Sequence, residues 1–378
     1  MKATIQKDSL AWLVQTASRP IPSRTTMPSI KGCLIEALSD RLVFSGTNLD
    51  WGVRVSAPAQ VEASGSLVVS SKILEDVVRT ISAPDVTLSL DESAWALTIR
   101  TGGSEMVLNA VPADDFPRWP EAKNGHTITV KADAFKEAVK VGATCAVANP
   151  ARPLWGACLL DFSDNTLAIV STDQFALSRA RCKVSGGDAK AIMAANILQD
   201  IARLSDTQND GEIEIVVADN HIYFAASSMS CFSRLIDGQY YPYEQVIRNA
   251  FSSTARVPTE ALFRASSRAA IVASEDDKAM RLIINRGSGI LTVKSGSAEK
   301  GRMEESVPAI LTGDDVEVWV QHRYMLQALS KIQTADTFIG VSGQVSPMKM
   351  EPVEEGDGSP SVEATFVVMP MSSPKGTF

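Results

Sequence analysis

Side chains able to do chemistry are sparse in this chain, and their spacing matches no catalytic pattern. The histidines are His126, His221 and His322, far apart in sequence, with no HExxH pair, no GxSxG elbow, no P-loop and no dinucleotide-binding glycine motif. Two adjacent carboxylate pairs, Asp114–Asp115 and Asp276–Asp277, are the arrangement a divalent cation could use to activate water. Neighbouring acids in turn-rich stretches more often simply face solvent, so no metal, cofactor or turnover is expected. Nuclease activity with Mg²⁺, lost on mutating either pair, would overturn that expectation. The five cysteines (Cys33, Cys145, Cys158, Cys182, Cys231) are odd in number and never in a CxxC pair, which argues against a disulfide framework and a zinc site. They read as reduced core thiols.

The chemistry that remains is charge. The chain carries 36 Lys and Arg against 44 Asp and Glu, a net charge of −8, which at first argues against a polyanionic partner. The distribution is uneven. Six amphipathic segments (7–19, 70–81, 131–144, 191–206, 259–273 and 319–332) hold twelve Lys and Arg and eight Asp and Glu, a net +4, which leaves −12 for the rest of the chain. For a single helix such charges are sufficiently explained as a solvated face. A positive helix layer on a negative strand layer instead describes a body that attracts a polyanion on one surface and repels it elsewhere.

The elements that carry these charges recur. A short strand running into a helix begins at Thr4, Thr127 and Thr254, and a second amphipathic stretch begins at Val68, Ala191 and Val318. Both landmarks keep spacings of 123 and then 127 residues. That period is far longer than a solenoid repeat and matches a common domain size, so the chain reads as three copies of one domain, 1–122, 123–250 and 251–378. Apolar residues at helical spacing (Leu10, Leu13, Val14; Ile73, Leu74, Val77) and alternating runs such as Thr166–Val170 give each copy two helices on strands, an α+β fold. Asp8, Asp133 and Glu260 open the first helix of each copy, where capping explains them. The acidic, Gly-containing stretch 354–360 is expected to be a surface loop and the tail 372–378 to fray. No uninterrupted apolar run approaches the ~18 residues of a membrane span, and no signal-peptide core follows Met1, so a cytoplasmic protein with no membrane partner is expected.

The chain resembles the bacterial sliding clamp family, the β subunits of DNA polymerase III, along its whole length. The residues that carry this are Phe44–Val55, Val111–Pro117, Ser171–Asp173, Arg234–Gly238 and above all Phe366–Met371 near the C-terminus. The resemblance implies three DNA-clamp domains, each with two helices packed on antiparallel sheets, closed by a second copy into a head-to-tail dimeric ring around double-stranded DNA. Twelve helices packed about 9–10 Å apart would enclose an opening of roughly 27 Å, room for a duplex and a layer of water. Weak, sequence-blind phosphate contacts would suffice in a closed ring.

The resemblance also implies site residues. A pocket for peptides of the polymerase III α subunit, the clamp loader and other clamp-motif proteins would be lined by Leu154, Thr172, Leu177, Pro242, Val246, Val345, Val368, Met369, Pro370 and Met371. Duplex contacts would come from Arg24 and Arg152, aided by Lys72, Arg79, Lys136, Lys140, Arg203, Arg264 and Lys331. Leu74, Val78, Met106 and Leu108 would face Ile271 and Val272 across the subunit interface, with strand 105–109 pairing near 302–306. Some positions depart from the family: Gln174–Phe175–Ala176 stands where Gly, His and Arg are usual, Tyr241–Pro242 shifts the aromatic-Pro-Asp-Tyr order, and Gln245 replaces a common basic residue. These departures motivate a rival reading, an auxiliary phage, plasmid or resistance-associated clamp with altered partner preference. The tail beyond Met371 could reach over the pocket.

Overall fold

In each of the three copies the first helix starts where the first strand ends, and each time a loop carbonyl from the same copy receives the first helical N–H. The computed structural model describes residues 1–122, 125–205, 211–354 and 360–373; most of the loop expected at 354–360 and of the tail expected at 372–378 lies outside the described residues. The strands Lys2–Gln6, His126–Lys131 and Ser253–Pro258 run directly into α1 (Lys7–Ala17), α3 (Ala132–Gly142) and α5 (Thr259–Val272). The amides of Lys7, Ala132 and Thr259 donate to the carbonyls of Pro84, Gly211 and Ala335 at 2.7, 2.9 and 2.8 Å. The other helices of the three copies are α2 (Ser71–Thr80), α4 (Ala195–Leu204) and α6 (His322–Leu329).

These bounds correct two expectations. Residues 191–194 and 319–321, read as helical, close the strands Ala189–Ala194 and Val316–Gln321, so the recurring amphipathic stretch is a strand end followed by a helix. Side-chain capping is also absent at α1 and α5, where neither Gln6 nor Pro258 makes a capping bond. Asp8 and Glu260 therefore act only as first-turn charges on the helix dipole.

The described residues form two compact bodies. The first comprises 1–132 and 200–235. In it Trp51–Pro58 pairs antiparallel with Arg41–Thr47 on one side and with Met229–Arg234 on the other. Leu10, Leu13, Val14 and Ala17 of α1 are buried against α2 and the strands at 41–47 and 51–58. The second body comprises 133–199 and 236–378. There Ala176–Gly186 pairs with Thr166–Thr172 and with Val362–Val368, and a four-stranded sheet orders 301–308, 290–297, 279–285 and 316–321. Each body thus takes strands from two copies of the repeat, which is why the bodies number two while the copies number three. All these ladders are antiparallel, and the five cysteines are buried free thiols, with burial pushing Cys145 and Cys182 up to about 12.

Candidate functional site

A five-residue turn organises the site in the second body. Thr172 Oγ1 donates to the Ala176 carbonyl at 2.7 Å and accepts the Gln174 N–H at 3.1 Å, while Asp173 Oδ1 accepts the N–H groups of Phe175 and Ala176 at 3.0 and 2.9 Å. Gln174 sits at φ 74°, a left-handed conformation that these side-chain bonds hold in place of a glycine. The other carboxylate oxygen of buried Asp173 accepts the Tyr324 hydroxyl at 2.6 Å, and Arg323 stacks 4.3 Å above the Tyr324 ring. Burial first, and then the Asp173 bond, pushes the Tyr324 phenol well above its usual value. Removing that hydroxyl leaves a buried carboxylate oxygen without its donor. Tyr324→Phe is expected to cost about 1.5–3 kcal/mol, read as a lower urea midpoint with an unchanged m-value; an unchanged midpoint would show that the bond holds nothing.

The turn opens onto an apolar cleft of about 260 Å³. Of the residues expected there, Thr172, Leu177, Pro242, Val246 and Met369 line it, and Leu154 packs on the apolar cluster that includes Leu177 and Val367. Gln174, Ala176, Tyr241, Tyr243, Gln245 and Val367 also line it. Tyr243 is buried, and its phenol is pushed up to about 12, chiefly by burial. Besides Leu154, four expected residues are not part of the lining. Val345 stands 88% exposed in a loop, Met371 donates its N–H to the Trp319 carbonyl at 2.8 Å, and Pro370 lies between Met369 and that anchor. Val368 is only 1% exposed and belongs to the opposite strand face: Leu177 lies opposite Val367 in the ladder, and alternation turns the next residue away.

The expected cations are mostly exposed, and several already have partners. Arg24 and Lys72 are exposed, and Lys136 and Lys331 are half-buried. Arg79, Lys140 and Arg203 lie 3.8, 3.0 and 3.4 Å from Asp76, Glu137 and Asp200, and Arg264 pairs with Glu260. Such exposed pairs are worth about 0–1 kcal/mol, so a phosphate can displace the carboxylate. Arg19, counted only in the charge tally, joins Arg203 on Asp200 at 3.2 Å, a convergence between residues 181 apart in sequence. Arg152 differs from the others: it stacks 4.5 Å over Trp155 and donates to Gln174 Oε1 at 3.2 Å, which ties it to the cleft rim.

The expected interface residues divide in the same way. Ile271 is 69% exposed and Val272 half-buried at the end of α5, and Met106 and Leu108 are half-buried on strand Ser104–Val111. Leu74 and Val78, by contrast, are buried within their own chain where α2 packs on α1, so neither offers surface to a second copy; the exposed apolar side chain beside them is Ile73. Along 104–109 the strand pairs only with Ala96–Thr101, and strand Gly301–Pro308 pairs only with Ile290–Ser297, leaving each with one open edge among the described residues.

Three family models cover nearly the whole chain: DNA polymerase III beta subunit N-terminal domain over residues 1–120, central domain over 129–242 and C-terminal domain over 244–372. The chain belongs to the DNA polymerase III beta subunit family. Its relatives include the Beta sliding clamp of Bacillus subtilis, 24% identical over 92% of this chain and 94% of that one, and that of Streptomyces coelicolor, 27% identical over 98% and 99%. Among solved structures, the DNA polymerase sliding clamp of B. subtilis superposes with a TM-score of 0.91 at 23% identity, covering 99% of this chain and all of that one. A Pseudomonas aeruginosa sliding clamp bound to griselimycin gives 0.91 at 23% identity with the same coverage. The fold is that of three clamp domains, each combining helices with antiparallel sheet. Among the described residues no helix is long and apolar enough to cross a membrane.

Proposed function

We propose that this beta subunit acts as a sliding clamp: two copies close head to tail around duplex DNA and hold the replicative polymerase, the clamp loader and other clamp-motif proteins through the apolar cleft. The observation that carries the reading is the cleft itself, an apolar pocket framed by a turn that its own side chains hold rigid, in a chain whose three copies each match the family. A family of processivity factors carries out no turnover, and the cleft offers shape and apolar surface in place of a nucleophile. The division into 1–122, 123–250 and 251–378 and a cytoplasmic location belong to the same proposal.

Closure would use the two open strand edges. Strand 104–109 of one copy would add to strand 301–308 of the other, with Ile271, Val272, Met106 and Leu108 at the seam, and two exposed edges would be satisfied together. Arg24, Lys72, Arg79, Lys136, Lys140, Arg203, Arg264 and Lys331 would contact phosphates without reading bases. The test is topological. The purified chain, loaded on a nicked circular duplex, is expected to stay bound through gel filtration and to be lost when the circle is linearised. Equal retention on linear DNA would refute encirclement.

A further inference from the structure

The turn that frames the peptide cleft is built a second time in the first body, with different chemistry around it. Thr47 Oγ1 donates to the Trp51 carbonyl at 2.9 Å and accepts the Leu49 N–H at 3.0 Å, and Asn48 Oδ1 accepts the N–H groups of Asp50 and Trp51 at 3.0 and 2.9 Å. Leu49 has φ 78°, as Gln174 has 74°. The main chain matches as well: Arg234 donates its N–H to the Asp50 carbonyl at 2.7 Å, as Met369 does to Phe175 at 2.8 Å. By this correspondence Gly52 stands for Leu177, Phe232 for Val367 and Arg234 for Met369. A Cβ on Gly52 would meet the Phe232 ring at 2.5 Å, so the phenyl occupies the space that a leucine fills in the other cleft.

What remains open is a pocket of about 120 Å³ bordered by Leu49, Pro117, Arg118, Trp119, His221 and Phe232. Trp119 meets Phe232 edge to face at 4.8 Å, and the Arg54 guanidinium lies 4.7 Å over the indole. Arg118 and Arg234 are exposed, and among the described residues none of these three arginines sits in an ion pair. Three guanidinium groups without a carboxylate partner around one aromatic pocket stand out in a chain of net charge −8. Burial, and then the Arg234 charge, hold the His221 imidazole below its usual range.

We propose that this cleft is a second docking site, which takes a short acidic peptide: one aliphatic side chain enters beside Trp119 and Phe232, and flanking carboxylates pair with Arg118 and Arg234. Guanidinium groups bind carboxylates in bidentate geometry, which gives the site a stronger charge preference than the first cleft, whose rim carries Gln174 and Gln245 with Arg152 hydrogen-bonded to Gln174.

The experiment uses the full chain and a fluorescein-labelled pentapeptide, Glu-Asp-Leu-Glu-Asp, with Gln-Asn-Leu-Gln-Asn as its neutral counterpart, followed by anisotropy. The acidic peptide is expected to bind at least about tenfold more tightly than the neutral one. Joint Arg118→Glu and Arg234→Glu substitution is expected to remove that preference, while Val246→Ala with Met369→Ala leaves it unchanged. If the double arginine variant melts early, Arg118→Gln at an unaltered melting temperature decides. Equal binding of the two peptides, no binding of either, no effect of the arginines, or loss that follows Val246 and Met369 would each overturn the proposal. So would tighter binding of oligo(dT) through the same arginines, which would make the site one for single-stranded nucleic acid.

Discussion

Ile271→Asp is expected to convert the dimer into a monomer of 40.5 kDa and to abolish retention on circular duplex. Ile271 is exposed at the end of α5, so the chain itself loses no core contact and should melt where the parent does. In the closed ring the substitution would remove the burial of one aliphatic side chain, about 1.5–3 kcal/mol, and force a carboxylate out of water at a further cost of several kcal/mol. At about 1.4 kcal/mol per tenfold, the dimer would weaken by roughly three orders of magnitude or more. Sedimentation equilibrium measures the mass, and the circular-DNA assay measures the consequence. A variant that remains dimeric at micromolar concentration would place the interface elsewhere. Val78→Asp makes the contrasting case: Val78 is core, so that substitution should lower the melting temperature of the chain whatever its oligomeric state.

Val246→Ala with Met369→Ala is expected to weaken binding of a clamp-motif peptide about 30- to 150-fold and to leave retention on circular DNA unchanged. Both residues line the cleft and are only half-buried in the free chain, so truncation takes more from the complex than from the fold. Two anchor contacts of about 1–1.5 kcal/mol each account for that factor. Calorimetry with a synthetic peptide reads the affinity directly. Undiminished affinity would remove the cleft from the mechanism, and loss of DNA retention in the same variant would mean that cleft and ring are not separable functions.

The helices are legible in the sequence because each buries its own apolar stripe: the spacing of Leu10, Leu13 and Val14 is enough to place α1 and its buried face. Their starts are less legible. At 191–194 and 319–321 the apolar residues of a strand run into those of the following helix without a break, and periodicity does not mark the change. Within the cleft, the resemblance places Leu177 and Met369 on the lining and misses with Val368 by one residue, which on a strand means the opposite face. Leu74 and Val78 show another limit: an apolar stripe says that a face is covered, and does not say whether by the same chain or by a partner. Contacts such as Arg19 to Asp200 leave no local trace at all. The second turn at Thr47–Trp51 is within reach of inspection, since Thr47 and Thr172 open it in both copies, but the reversal of its surroundings from apolar to cationic emerges only once Phe232 and Arg234 are placed against it.

The strand-to-helix junctions bear on how the three copies could drift apart. At Lys7, Ala132 and Thr259 the helix is started by a bond between main-chain atoms, so that bond asks nothing of the side chain, whatever contacts the side chain makes of its own, as buried Thr259 Oγ1 does with Thr337 Oγ1 at 2.9 Å. Lysine, alanine and threonine all make it, and proline, which has no N–H to give, cannot. Duplicated genes can therefore change the residue at these corners without losing that bond, which leaves mutation free to remodel the turns and clefts nearby. A fold whose joints are made of backbone can keep its architecture while its copies acquire different trades.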